Sequence, residues 1–226
     1  MLRTFIATLS LVSALLPLNA RAGGGTQGAA TETEAEAESM ELAPAEDIEA
    51  AGSALEEFKK RHEVVTLLVK SKVPDAALQE EVDRLLDFKW IANAALGGKG
   101  RADRRCEPRC AEFEELLAQL IRENYLKRIS QSDTGKVEYL GEEKRPRATK
   151  VTTRVTWKKD GVEQQVEVAY VMHVVGGKWF VRDIITDSVS LAKNYRYEFN
   201  KILRDEGIDG LIARLQTKLA DLAKTE

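Results

Sequence analysis

The chain has 226 residues, a formal net charge of −3, 43% hydrophobic residues and two cysteines. A chain of that length can bury one sizeable core and still carry extensions. Its charge runs do not interleave with aromatic residues, so nothing in it resembles a nucleic-acid surface.

The first residues read as a secretory signal. Arg3 supplies a positive start, Thr4 to Leu18 is an apolar stretch with Pro17 near its end, and Ala20-Arg21-Ala22 fits a small-x-small cleavage site. The alternative is an uncleaved anchor, but the apolar run is short for a membrane span. Residues 1–22 are therefore expected to be a signal peptide, and the residue directly after them is Gly23, not a cysteine that could carry a lipid anchor. No other segment is apolar enough to span a bilayer. From Gly23 to Glu49 the composition turns to glycine, alanine and eight acidic residues with no basic one. Such a stretch buries too little to order itself, so residues 23–44 are expected to be a disordered acidic linker. With the two basic and eight acidic residues before Ala50 set aside, 32 basic and 29 acidic side chains remain, and residues 45–226 are expected to form a single, nearly balanced domain.

That domain opens with helices. Ile48, Ala51, Leu55, Phe58, His62, Val65 and Val69 recur at steps of three and four, which predicts a helix over Ala45 to Lys70 that ends before Pro74. Asp75 caps a second helix carrying Leu78, Val82, Leu85 and Leu86, and Asp87 a third from Phe88 to Leu96. Gly97, Gly98 and Gly100 break the pattern. Pro108 reopens a helix where its missing N–H costs nothing, and Phe113, Leu116, Leu117, Leu120 and Ile121 give it a wide apolar stripe. Cys106 and Cys110 stand at its start. In a chain bound for an oxidising compartment their leading reading is a local disulfide. A metal site needs more ligands, and His62 and His173 lie far away in sequence. A redox motif more typically has two residues between its cysteines, not three.

An antiparallel meander follows. Val151, Thr153, Val155 and Trp157 alternate with polar residues, as do Val166, Val168, Tyr170, Met172 and Val174 after the Asp160-Gly161 turn. Beyond Gly176-Gly177, Trp179, Val181 and Ile185 share a face, and Val137 to Leu140 supplies a first strand. The expected fold class is thus α+β: a curved four-stranded antiparallel sheet with one apolar face covered by helices. A helix from Ser188 or Ser190 carries Leu191, Tyr195, Phe199 and Ile202 to a stop at Gly207. Asp209 then caps a last helix with Leu211, Leu215, Leu219 and Leu222.

Several blocks resemble a known family in order along the chain. They are Asp87-Phe88 through Ala95-Leu96-Gly97, Ala111-Glu112-Phe113, Gly177-Lys178-Trp179 with Val181, Asp183-Ile184, and Val189-Ser190-Leu191. Asn194-Tyr195-Arg196, Glu198-Phe199-Asn200 and Glu206 to Ile212 continue the series. The resemblance is to the MlaC or toluene-tolerance family, periplasmic auxiliary components of a phospholipid ABC transporter, and it covers roughly Ala45 to Leu222. It implies a carrier that holds phospholipid acyl chains between sheet and helices. Its implied partners are phospholipid, an MCE-type subunit of an inner-membrane transporter and an outer-membrane lipoprotein–porin complex, serving outer-membrane lipid asymmetry. No cofactor beyond the phospholipid cargo, no metal and a monomer are expected. The glycine-rich, basic Gly98 to Arg105 and the acidic linker depart from the family pattern.

The residues themselves suit a carrier. Burying an acyl chain is worth about 0.8 kcal/mol per methylene relative to water, so an apolar slot that imitates the membrane interior is the main requirement. Val155, Trp157, Val168, Tyr170, Met172, Val181 and Ile185 are the candidates on the sheet side. Phe88, Ile91, Leu117, Leu120, Tyr195 and Phe199 are those on the helix side. Each is equally suited to filling a closed core, and the choice of a cavity comes from the resemblance. Arg196, Lys193 or the Gly98 to Arg105 segment could meet a phosphate. One rival class is a cone-shaped isomerase or dehydratase, in which Asp183, on the alternation of Trp179, Val181 and Ile185, serves as a general base. No second placed catalytic group supports it, and His62 and His173 read as structural residues. Another rival is a binder of some other apolar molecule, such as a sterol-like lipid.

Overall fold

A computed structural model describes residues 51–73, 75–131, 136–159 and 161–224. The expected signal peptide, the acidic linker and residues 45–50 of the expected first helix lie outside the described residues.

Helix α1 runs over Ala54–Lys70, shorter at its start than the apolar pattern suggested. Its N-terminus is fixed twice. The Ser53 hydroxyl accepts from the Glu56 N–H at 3.2 Å, and the Glu142 carboxylate, from a strand far along the chain, accepts from the Leu55 N–H at 2.7 Å and the Ser53 hydroxyl at 3.0 Å. A carboxylate there also meets the positive end of the helix dipole. Ala54, Phe58, His62 and Val65 form its buried stripe. Helix α2 (Asp75–Leu85) and helix α3 (Phe88–Ala95) follow, and Asp87 caps α3 by accepting from the Trp90 N–H.

The glycine-rich stretch holds a helix, α4 (Lys99–Cys106), where the sequence pattern suggested only a break. Gly97 and Gly98, both at φ +94°, turn the chain, and the helix begins directly after them. Gly100 weakens it by about 1 kcal/mol relative to alanine. Compensation comes from tertiary contacts: Ala102 and Cys106 are buried, and Arg105 donates to the Leu96 carbonyl at 3.0 Å and to Asn200. A Cys106–Cys110 disulfide joins α4 to helix α5 (Cys110–Gln131).

The sheet has five strands in sequential antiparallel order: β1 (Lys136–Arg145), β2 (Ala148–Lys159), β3 (Val162–Val175), β4 (Lys178–Thr186) and β5 (Val189–Ser190). The strand missing from the four-strand expectation is β5. It spans only two residues, too few for any alternation to show, and is set up by the positive-φ pair Asp187 and Ser188. Two register shifts bend the sheet, between Tyr139 and Gly141 in β1 and beside Val171 and Met172 where β3 meets β4. One face is buried through Val151, Val166, Val168, Tyr170, Met172, Val174, Trp179 and Val181. The other is polar, as in the cross-strand pair Arg154 and Glu167 at 2.6 Å.

Helix α6 (Leu191–Ala223) closes the fold, capped by Ser190 and kinked at Gly207 (φ 67°, ψ −168°). Gly207 lies outside the helical φ/ψ range, so two helical stretches meet there, where the sequence pattern placed the stop. Asp209, expected to cap the second stretch, pairs with Arg109 at 2.6 Å. The dense part of the core lies where α3, α5 and α6 meet, with Phe113 edge-on to Phe199 at 5.8 Å and Tyr195 stacked on Phe199 at 5.2 Å.

Candidate functional site: a cavity between sheet and helices

At the other end of the sandwich the layers part. Strands β2 and β3, 12 and 14 residues long, project residues there that the helices do not cover tightly. The cavity has a volume of about 150 Å³. That is below the roughly 300–1,000 Å³ of ordinary small-molecule sites, so the slot between the layers is narrow.

The sheet wall is Val137 of β1, Val155 and Trp157 of β2, Val166, Val168 and Tyr170 of β3, and Ile184 and Thr186 of β4. Opposite lie His62, Thr66, Val69 and Lys70 of α1, then Ile121, Asn124, Tyr125, Arg128 and Ile129 of α5. Leu191 and Tyr195 of α6 close one side. Most of this wall is aliphatic or aromatic carbon. The charged lining residues are Lys70 and Arg128, and no carboxylate is among the described residues that line the cavity. The space therefore suits a molecule with a long apolar part and an anionic end. Burial works against the Arg128 guanidinium, and the nearby Tyr170, Tyr195 and Asp187 offset this only in part.

The polar groups in the wall are mostly held in place. His62 Nδ1 lies 3.0 Å from the Tyr139 hydroxyl and its ring stacks on Phe58 at 5.2 Å. Burial lowers its pKa to about 4, so the ring is neutral at pH 7. The Asn124 amide donates to the Leu120 carbonyl at 2.8 Å. Burial drives the Tyr170 phenol up to about 12, and those of Tyr125 and Tyr195 rise for the same reason. All three keep their protons. No group of three or more His, Cys, Asp or Glu side chains suited to a metal ion occurs among the described residues. No helix among them is long and apolar enough to cross a membrane.

Residues 69–217 match the profile of the family described as MlaC protein, well over half of the chain. The chain belongs to the MlaC family. Among solved structures it is similar to a phospholipid-binding protein from Ralstonia solanacearum, determined in complex with a phospholipid. That likeness has a TM-score of 0.61 and 22% identity, and covers 76% of this chain and 99% of that one. At that identity it speaks for the fold alone. No curated protein matches the chain.

Within this MlaC fold the candidate lipid contacts divide. Val155, Trp157, Val168, Tyr170 and Tyr195 line the cavity. Ile91, Leu117, Leu120, Met172, Val181 and Phe199 are buried but absent from its lining; they belong to the dense core. Phe88 lies under the Arg122 guanidinium, 5.2 Å from its ring centre, in a surface groove elsewhere. Ile185 is displaced for a specific reason. The β3–β4 register steps from Met172 opposite Val181 to Val171 opposite Asp183, so Arg182 is the extra residue and the alternation inverts. Ile184 and Thr186 then face the cavity in place of Ile185 and Asp183.

Asp183, the candidate general base of the rival reading, accepts from the Ile184 N–H at 2.9 Å, the Ala192 N–H at 3.0 Å and the Ser190 hydroxyl at 2.6 Å. It ties the start of α6 to β4 and does not line the cavity. Burial raises its pKa and these donors pull it back. Reading the sequence alone missed the α1 wall of His62, Thr66, Val69 and Lys70. The polar positions of that helix were the available signal, since an amphipathic helix whose apolar stripe is flanked by Thr66 and His62 can border a slot as readily as seal a core.

Proposed function

We propose that this chain is a periplasmic phospholipid carrier. It is exported by the signal peptide in residues 1–22 and trails an acidic linker (23–44) from a lipid-binding domain (45–226). It passes lipid between an outer-membrane lipoprotein–porin complex and the MCE-type subunit of an inner-membrane transporter, and so serves outer-membrane lipid asymmetry. The observation that carries this reading is the cavity: carbon-lined, open at one end, and bearing Lys70 and Arg128 without a carboxylate among its described lining residues. MlaC family membership and the phospholipid-bound Ralstonia relative of the same fold support it.

The physics fits transfer rather than capture. Each methylene moved from water into the cavity gains about 0.8 kcal/mol. Moved from a bilayer, it gains almost nothing, so lipid exchanges with a membrane partner without a large barrier from affinity. Val155, Trp157, Val168, Tyr170 and Tyr195 contact the acyl chains in this reading, joined by Ile121, Ile129 and Ile184. The test is native mass spectrometry of the chain purified from a periplasm without detergent, followed by solvent extraction and lipid analysis. Co-purifying phospholipid near one per chain is expected. A lipid-free chain that also fails to take lipid from labelled vesicles would overturn the proposal.

A further inference from the structure

Two oxygens in the cavity wall have no bonding role in the fold. The Tyr125 and Thr186 hydroxyls are the buried side-chain oxygens without a hydrogen-bond partner among the described residues, and both residues line the cavity. Tyr125 is 7% exposed and Thr186 3%. A sealed hydroxyl without a partner costs the desolvation of a polar group and returns nothing. A phenylalanine and a valine would fill the same space without that cost. The two come from opposite walls, Tyr125 from α5 and Thr186 from the sheet, where it pairs across from Val168.

Their neighbours bring a cation to the site. Arg128 follows Tyr125 by three residues on α5, on the same face, and Asp187, which follows Thr186, is among the groups whose charge Arg128 feels. The rest of the lining includes the carbon of Val155, Val168 and Ile129. The wall thus brings together hydrocarbon, two hydroxyl donors and a cation, and an acyl lipid has the matching parts: hydrocarbon, carbonyl oxygens and an anionic group. Burial keeps the Tyr125 phenol protonated, so it can donate.

We propose that the Tyr125 and Thr186 hydroxyls form a polar subsite that donates hydrogen bonds to the acyl carbonyl oxygens of the cargo, with Arg128 beside it facing the cargo's anionic group. The subsite rests on the carrier reading and deepens it, because it sets the depth at which a lipid stops. The shared chemistry is an acyl carbonyl, which an esterified phospholipid and a free fatty acid both supply.

The experiment uses delipidated protein, wild type and the Tyr125→Phe and Thr186→Val variants. Three probes of equal chain length are titrated: a diester phosphatidylglycerol, its diether counterpart, which lacks carbonyls, and palmitate. Wild type is expected to bind diester over diether by about fivefold or more, the worth of one net hydrogen bond. Each variant is expected to lose about fivefold for the diester and nothing for the diether, while lipid-free protein unfolds at the same or a higher temperature. A parallel loss for palmitate extends the subsite to the free carboxyl, and a loss confined to the diester assigns it to esters. Equal binding of diester and diether by wild type overturns the subsite and leaves the carrier standing. Wild type that binds neither overturns both. A variant that is destabilised without lipid and binds all probes more weakly by the same factor shows hydroxyls that serve only the fold, and also refutes the subsite.

Discussion

Acid should weaken this domain through His62, a side chain in the cavity wall. The ring is 6% exposed and burial lowers its pKa to about 4, against 6.5 for an unburied histidine. Because the folded pKa lies below the unfolded one, the unfolded chain takes up a proton that the folded chain refuses. Stability is full above pH 6.5, falls as pH drops toward 4, and stops falling once both states are protonated. Every tenfold difference in proton affinity between the two states is worth about 1.4 kcal/mol, so the full loss is about 3 kcal/mol and the loss between pH 7 and pH 5 about 2 kcal/mol. For a domain of this size that is a drop in melting temperature of about 4–8 °C. His173, stacked on Trp90 at 6.0 Å and likewise lowered to about 4, adds a similar slope, so the comparison must be differential. The assay is urea unfolding of wild type and His62→Gln at pH 7, 6 and 5. The glutamine keeps a polar partner for Tyr139 but does not titrate. Wild type should lose about 2 kcal/mol more than the variant over that span. Parallel pH dependences would refute the reasoning, since they would place His62 in a solvated environment in the folded protein.

Charge at the cavity wall and charge in the dense core should have different consequences. Val168→Glu should abolish lipid retention while a folded circular-dichroism spectrum persists, because the new carboxylate can reach water through the mouth. Met172→Glu, at a residue 0% exposed and outside the cavity lining, should prevent folding altogether. Replacing Asp183 by Ala removes the acceptor of three hydrogen bonds at the start of α6 and should cost about 2 kcal/mol in denaturant unfolding. Lipid transfer between vesicles should stay at the wild-type rate; a turnover defect with intact binding would revive a catalytic role. Asp87→Ala should cost about 3–5 kcal/mol, since it leaves the largely buried Arg182 without the carboxylate that accepts from its Nε at 2.9 Å, and strips α3 of its cap.

Much of the fold is legible in the sequence because its signals are local. The alternation in β2 and β3, the apolar stripes of α1, α5 and α6 and the caps at Asp87 and Ser190 each follow from a few adjacent residues, and the structure contains each of them. What escaped reading depends on contacts distant in sequence. Helix α4 follows Gly97 and Gly98 and contains Gly100, and it persists because Arg105 reaches Leu96 and Asn200 and because a disulfide holds its end. Strand β5 exists because two residues happen to lie against β4 where Asp187 and Ser188 turn the chain.

The site was harder to read than the fold, for a reason visible in β4. Strict alternation placed Asp183 and Ile185 on the face of Trp179 and Val181, and one extra residue at Arg182 exchanged them for Ile184 and Thr186. No feature of the local sequence marks that bulge; it is fixed by the pairing with Val171 and Met172 and by the salt bridge of Arg182 to Asp87. The exchange matters chemically. It removes a carboxylate from the space and puts Thr186 there, and Asp183 becomes the acceptor that anchors α6. Had the alternation continued, an anion would sit in a carbon-lined slot opposite Arg128, disfavouring the anionic end of a lipid. A single inserted residue thus decides between a pocket resembling a general-base site and one that accepts an anionic amphiphile. Deleting Arg182 removes the extra residue and leaves Asp183 directly after Val181, so regular alternation keeps Ile184 and Thr186 on the cavity face and Asp183 off it. The deleted chain should therefore take up lipid from labelled vesicles as wild type does, while losing stability with the Arg182–Asp87 salt bridge; a chain that folds but no longer takes up lipid would refute this account of the bulge.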